Sequence, residues 1–194
     1  MIDTVTNRVT ATIDVGGGAL GVAVTPNGRH VYVAHWGSAM VSVIDTATNT
    51  VTATINVGSV QWDVAVTPDG RRVFVTNRGS GTVSVINSAT NTVTATINVQ
   101  SGQNGVAVAP DGRYAYVTNE GSDTVSVIDT TTDAVTATIN VGNAPVTVAV
   151  ASDSRRVYVV DRASNALSAL SVIDAAAKPS LPLSISEVIR VLWW

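Results

Sequence analysis

The chain has 194 residues, of which 45% are hydrophobic and 13% charged, with a net charge of −3 and a pI near 5.1. This length allows one domain with a full core, and the abundance of Thr and Val favours an all-β chain over a helical or disordered one. Lys178 is the only lysine, so no basic phosphate-binding surface is evident and nucleic acid is not expected as a partner. The absence of cysteine excludes disulfides and thiolate ligands.

The chain repeats a unit of 42 residues, whose clearest marker is a Pro-Asn/Asp-Gly-Arg turn. Pro26, Pro68 and Pro110 follow one another at intervals of 42 residues. The repeat weakens at its C-terminal end, where Ser152, Asp153 and Ser154 replace the Pro-Asp-Gly turn and an insertion delays the next Ser-Val-Ile-Asp. A repeat of this length decides the fold first, and leaves function to the positions that vary.

Each unit contains four short β-type segments separated by turn residues. In the middle unit these segments are 63–67, 72–77, 82–87 and 91–99. Spacing of about ten residues is typical of an antiparallel meander, and Pro-Asp-Gly suits a tight turn. Four strands in about 40–45 residues, repeated, predict the blades of a β-propeller.

In chain order, the sequence predicts a propeller of about four blades, as a small ring or part of a larger one. Residues 1–176 form the repeat region and residues 177–194 an off-pattern tail. The segment 5–15 is predicted as a lone outer strand. The blades are predicted at about 20–57, 63–99, 105–141 and 147–174.

Two arrangements are compatible with these pieces. Val5–Val15 would close a four-bladed ring by pairing with the strand near Leu170–Asp174. Alternatively, the chain forms an open arc whose exposed blade edges pair with a second copy, giving an eight-bladed homodimer. In a further alternative the tail 180–194 supplies the missing strand; otherwise it forms a short amphipathic helix or a docking peptide.

The segment Tyr116-Val117-Thr118-Asn119, echoed at residues 74–77 and more loosely at 32–35 and 158–161, resembles the YVTN-family β-propeller repeat. The resemblance covers about residues 2–174. It implies a propeller, usually of seven blades, often in exported or surface-layer-like proteins of bacteria and archaea. A cell-surface location is therefore expected, but only from the resemblance. The residues themselves add no support, because the chain shows no signal-peptide pattern and no apolar run of membrane-spanning length.

Repeat positions that differ between blades are the candidates for a binding site. One set follows the second strand of each blade, and another joins successive blades. In propellers both sets lie on one face around the central channel, and tryptophan and arginine are frequent at binding hot spots. The alternative is that these are variable, solvated loop residues. The candidates are Trp36, Trp62, Arg78, Asn104, Glu120 and Arg162.

No catalytic residue, metal site or cofactor is predicted. His30 and His35 are the only histidines, and neither has a second ligand at metal spacing. Asp3, Asp45 and Asp129, with Asn87 at the same position, are interpreted as turn formers at strand ends. Asn7, Asn49 and Asn91 precede the outer strand and are expected in left-handed turn geometry.

Three functions remain open from the sequence. The first is a non-enzymatic scaffold that binds a protein or surface polymer. The second is part of a propeller enzyme of the lactonase or quinone-dependent dehydrogenase type. The third is a purely structural repeat segment, which the close similarity of the units favours.

Overall fold

The computed structural model describes residues 1–162, 168–175 and 187–190. Among these residues the only helical element is a short 3₁₀ turn, Glu120–Ser122, and the rest is strands and turns. No described helix is long and apolar enough to cross a membrane. The strands are β1 (Ile2–Asp3), β2 (Arg8–Val9), β3 (Ala19–Val24), β4 (His30–His35), β5 (Met40–Asp45), β6 (Thr50–Asn56), β7 (Gln61–Val66), β8 (Arg72–Asn77), β9 (Thr82–Asn87), β10 (Thr92–Asn98), β11 (Gln103–Val108), β12 (Tyr114–Asn119), β13 (Thr124–Asp129), β14 (Ala134–Asn140), β15 (Pro145–Val150), β16 (Arg156–Arg162), β17 (Ser168–Asp174) and β18 (Glu187–Arg190).

The strands form four antiparallel sheets of four strands, which we call blade 1 (β3–β6), blade 2 (β7–β10), blade 3 (β11–β14) and blade 4 (β15–β18). Within each blade the strands follow chain order. The first strands of successive blades contact one another, which places them at the centre of the arc. The predicted all-β fold of four-stranded propeller blades is confirmed.

The core lies between blades and not within them. Blades 2 and 3 bury apolar side chains on both faces, because one face packs on the preceding blade and the other on the next. Between blades 1 and 2, for example, Tyr32, Val41 and Val43 pack against Val73 and Val75. Equivalent clusters lie between blades 2 and 3 and between blades 3 and 4.

The N-terminal strands β1 and β2 form a small hairpin with the same register as the third and fourth strands of a blade. Ile2 pairs with Val9 and Asp3 with Arg8, as Ile44 pairs with Val51 in blade 1. Within the predicted outer strand 5–15, only Arg8–Val9 is a strand, and its partner is β1. Asp3 Oδ1 accepts hydrogen bonds from the N–H groups of Val5 and Thr6, which fixes the turn locally.

The ring closure expected from pairing 5–15 with 170–174 is not observed. β17 lies between β16 and β18, so both of its edges are occupied. The fourth strand of blade 4 therefore comes from Glu187–Arg190, inside the tail 180–194. The alternative in which this tail supplies the missing strand is thus the one observed. The remainder of that tail and residues 163–167 before β17 lie outside the described residues.

Candidate functional site

The predicted binding residues lie at one end of the blades. Arg78 and Glu120 directly follow the second strands of blades 2 and 3, and Arg162 ends that of blade 4. Trp62 and Asn104 lie near the start of the first strands of blades 2 and 3. The two strands are antiparallel, with Gln61 opposite Asn77, so their start and end meet at the same face.

Four of these side chains form a hydrogen-bonded network across three blades. Arg78 Nη1 donates to Glu120 Oε2 at 2.6 Å and also to Asn104 Oδ1. Asn104 Nδ2 donates to the same Glu120 oxygen at 3.0 Å, and Arg162 Nη2 donates to Glu120 Oε1. The guanidinium of Arg78 lies over the Trp62 ring, 5.2 Å from its centroid. We call Trp62, Arg78, Asn104, Glu120 and Arg162 the loop-face cluster.

Glu120 is the centre of this cluster, and its side chain is only 13% exposed, whereas that of Arg162 is 68% exposed. Burial alone would raise the pKa of Glu120. Hydrogen bonds from Arg78 and Asn104, with the charges of both arginines, outweigh burial and lower the pKa below its ordinary value. The carboxylate is therefore ionised at neutral pH and neutralises one of its two arginines, leaving the cluster with a net positive charge.

Trp36 occupies the equivalent position in blade 1, directly after β4. Its side chain is 56% exposed, which is unusual for a tryptophan. In the described part of the chain it takes no part in the hydrogen bonds or the cation–π contact of the loop-face cluster. The structure thus brings five of the six candidates together and leaves Trp36 as a separate exposed aromatic residue.

The comparisons with known proteins identify the family. The family model described as "Lactonase, 7-bladed beta-propeller" matches residues 3–182. The chain belongs to the seven-bladed β-propeller lactonase family. A search of curated proteins found no significant match.

Two solved structures are similar to this chain in fold. The hydrazine synthase of Kuenenia stuttgartiensis is 23% identical with a TM-score of 0.85, over 95% of this chain and 53% of that one. A protein of unknown function from Desulfotomaculum acetoxidans is 17% identical with a TM-score of 0.81, over 93% of this chain and 59% of that one. The chain thus spans little more than half of either structure, and at these identities the likeness concerns the fold.

The interpretation of the recurrent Asp and Asn residues as turn formers is confirmed. Asp45 Oδ1 accepts hydrogen bonds from the N–H groups of Ala47 and Thr48, and Asp129 does the same two repeats later. These hydrogen bonds, led by the one from Thr48, lower the pKa of Asp45. The predicted left-handed asparagines all have positive φ, at 53° for Asn7, 55° for Asn49 and 54° for Asn91.

Sequence reasoning missed Asp63, which lies on the first strand of blade 2 beside the loop-face cluster. Its Oδ2 accepts a hydrogen bond of 3.1 Å from the Val106 N–H of blade 3. Burial raises the pKa of Asp63, although backbone N–H groups of Val106 and Val64 oppose that shift. A signal was present in the repeat, since this position is Gly21, Asp63, Gly105 and Thr147 in the four blades.

The opposite end of blades 2 and 3 carries a separate cavity of about 690 Å³. It is lined by residues of the Pro-Asp-Gly turns, including Asp69, Arg71 and Asp111. Arg72, also in its lining, pairs with Asp133 of blade 3 at 2.6 Å. In the described residues no group of three or more His, Asp or Glu side chains is placed to hold a metal ion.

Proposed function

We propose that the chain is a non-enzymatic binding scaffold whose loop face recognises a protein or a surface polymer. The observation that carries this proposal is the loop-face cluster itself. Its members occupy the repeat positions that vary between blades, yet they form one continuous network across blades 2–4. Blade packing does not require these residue types, since Trp36, Arg78 and Glu120 occupy equivalent positions.

The cluster is suited to binding because it is held in place before a ligand arrives. Glu120 fixes both arginines, and Arg78 is also held over the Trp62 ring. Side chains that are ordered in advance lose less entropy on association. Trp36 and the outer part of Arg162 add exposed surface of the residue types that dominate binding hot spots.

Immobilised purified protein, probed with a glycan array and with candidate envelope proteins, tests this proposal. We expect the binding of any ligand found to fall at least tenfold in Trp62→Ala and in Arg162→Ala. Arg29→Ala, an exposed arginine in a turn at the other end of blade 1, serves as the control and should bind normally. Equal binding by all three variants would contradict a role for this face.

Lactone hydrolysis is the second candidate function, and the family match supports it. A panel of lactones tested with purified protein, with and without added divalent metal ions, examines it directly. Turnover that survives Trp62→Ala and Arg162→Ala would place the activity elsewhere than the loop-face cluster. If no lactone is hydrolysed while the protein still binds the ligand found in the screen, the binding scaffold is the better explanation of its function.

The proposal includes a YVTN-type repeat protein at the cell surface. The YVTN-type motifs support a surface-layer-like setting in which a repeated scaffold would meet its partner.

The proposal also includes a homodimer. Val22 of blade 1 is 63% exposed, whereas the equivalent Val64 of blade 2 is 4% exposed. Such a face would pack against the free face of blade 4 in a second copy, where Val160 is 39% exposed. This supports a homodimer formed through open blade edges.

A further inference from the structure

A histidine and a serine are hydrogen-bonded beside a cavity in blade 1, away from the loop-face cluster. His35 ends β4 and Ser42 lies in β5, with His35 Nε2 2.9 Å from Ser42 Oγ. Both residues are buried and both line a cavity of about 360 Å³. The other side of this cavity is formed by the segment Asp14–Gly17.

The surroundings of His35 define which atom carries its proton. The other ring nitrogen, Nδ1, lies 3.3 Å from the Gly17 carbonyl oxygen. A carbonyl oxygen can only accept a hydrogen bond, so in neutral His35 the proton is placed on Nδ1. Nε2 then has a free lone pair and accepts the hydroxyl hydrogen of Ser42. A serine that donates to an imidazole held by a third group is the arrangement of an activated nucleophile.

Comparison between blades shows that the fold does not require a histidine here. The equivalent pairs are Asn77–Ser84 in blade 2 and Asn119–Ser126 in blade 3. In both, the amide Nδ2 donates to the serine Oγ at 2.9 Å, so the side chain cannot take the hydroxyl proton. Blade 4 has the carboxylate of Asp161, to which Ser171 donates. Blade 1 alone places an imidazole against this serine.

We propose that Ser42 is a nucleophile activated by His35, and that it takes acyl groups from small carboxylic esters in this cavity. Ser42 Oγ bonds to the ester carbonyl carbon while its proton moves to His35 Nε2. The ester C–O bond then breaks, and the leaving alcohol takes that proton. Water releases the acyl group by the same two steps, which yields a carboxylic acid and restores Ser42. The cavity volume suits a substrate of roughly ten non-hydrogen atoms or fewer, at about 30 Å³ for each water-sized group.

The proposal is independent of ligand binding at the loop face, and labelling tests it. The purified protein is treated with a fluorophosphonate and analysed by intact mass and peptide mapping, and p-nitrophenyl acetate hydrolysis is measured in parallel. We expect one label, on Ser42, and none there in Ser42→Ala. His35→Asn restores the blade 2 pair and should fold normally, but its labelling and hydrolysis rates should fall about 100-fold or more, the usual contribution of a general base.

Ser84→Ala removes the equivalent serine of blade 2 and is the matched control, with labelling expected to be unchanged. Thermal melts of all variants show whether they are folded. The proposal is overturned if folded wild-type protein takes no label on Ser42, or if His35→Asn reacts at the wild-type rate. If His35→Asn fails to fold, peptide mapping of the label on folded wild-type protein and on Ser84→Ala decides, and a label on any residue other than Ser42 overturns the proposal.

Discussion

Glu120 of blade 3 binds one arginine from blade 2 and one from blade 4. This single carboxylate therefore determines whether the loop-face cluster is ordered. Arg78 and Arg162 lie on either side of it, each bonded to a different carboxylate oxygen. Without the carboxylate the two guanidinium groups would face each other without a counter-charge. The stability of the cluster should therefore depend on the ionisation of Glu120.

We expect Glu120→Gln to lower the free energy of unfolding by about 1 kcal/mol at pH 7, because both arginines are partly exposed and solvent screens the pairs. The pKa of Glu120 is lowered on folding, so its stabilisation is complete above the ordinary value of 4.5 and is lost as pH falls through the folded pKa. Urea unfolding of both proteins at pH 7 and pH 3 measures this. A difference that does not become smaller between pH 7 and pH 3 would contradict the assignment.

Gly21 marks a place where two blades approach too closely for a side chain. A Cβ atom there would lie 2.8 Å from the Asp63 Cα of blade 2. We expect Gly21→Ala to cost about 1–3 kcal/mol, since the first strands of the two blades must move apart. Gly17→Ala, where a Cβ would meet nothing within 4 Å, is the control in the same denaturation experiment. If Gly21→Ala and Gly17→Ala are equally stable, blades 1 and 2 accommodate a side chain at residue 21 without loss of unfolding free energy, which contradicts the prediction.

The first three strands recur in the same order in every blade, and the sequence predicts them from its repeat. The segments predicted at 72–77 and 82–87 match β8 and β9, and the predicted 63–67 is shifted from β7, which runs from Gln61 to Val66. These features follow from local turn chemistry and period-two patterning, which the sequence carries directly. The strand β18 lacks the repeat pattern, so the sequence offered the tail 180–194 only as one source of the missing strand, and the pairing with β17 locates the strand at Glu187–Arg190.

Contacts between blades were harder to foresee. Sequence comparison grouped Arg78, Glu120 and Arg162 because they are equivalent positions, but not the sharing of Glu120 by both arginines. That contact depends on the angle between neighbouring blades, which no spacing of residues encodes. The pair His35–Ser42 was missed for a related reason, since the registry of β4 and β5 brings together residues seven positions apart.

Asn91 combines a local and a long-range role in one turn. Its φ of 54° suits Asn or Gly, and its Oδ1 accepts a hydrogen bond of 3.2 Å from Tyr32 Oη of blade 1. We expect Asn91→Ala to cost about 1–2 kcal/mol through backbone strain and the lost hydrogen bond, and Asn91→Gly to cost less. In a double-mutant cycle, Tyr32→Phe should lower the free energy of unfolding little further when Asn91 is already Ala or Gly. Full additivity would show that the Tyr32 hydrogen bond contributes nothing.

The arc of blades presents a face on blade 1 that is buried at every later position. Val64, Val106 and Val148 are at most 9% exposed because the preceding blade covers them, whereas Val22 is 63% exposed. All four are valine, so the sequence alone does not distinguish the exposed one. The neighbouring Leu20 and Val24 are also more than half exposed, which gives a contiguous apolar surface of the kind that proteins use to associate.

This difference yields a matched pair of variants that tests the homodimer. Val64→Lys should lower the free energy of unfolding by several kcal/mol, because it buries an unpaired charge between blades 1 and 2. Val22→Lys should leave the stability of a monomer within about 0.5 kcal/mol, because its side chain reaches water. If a second copy covers this face, wild-type protein is dimeric by light scattering, its melting temperature rises with concentration, and Val22→Lys is monomeric. A wild-type monomer with the same mass and melting behaviour as Val22→Lys would rule out the homodimer and leave an arc with one open apolar face.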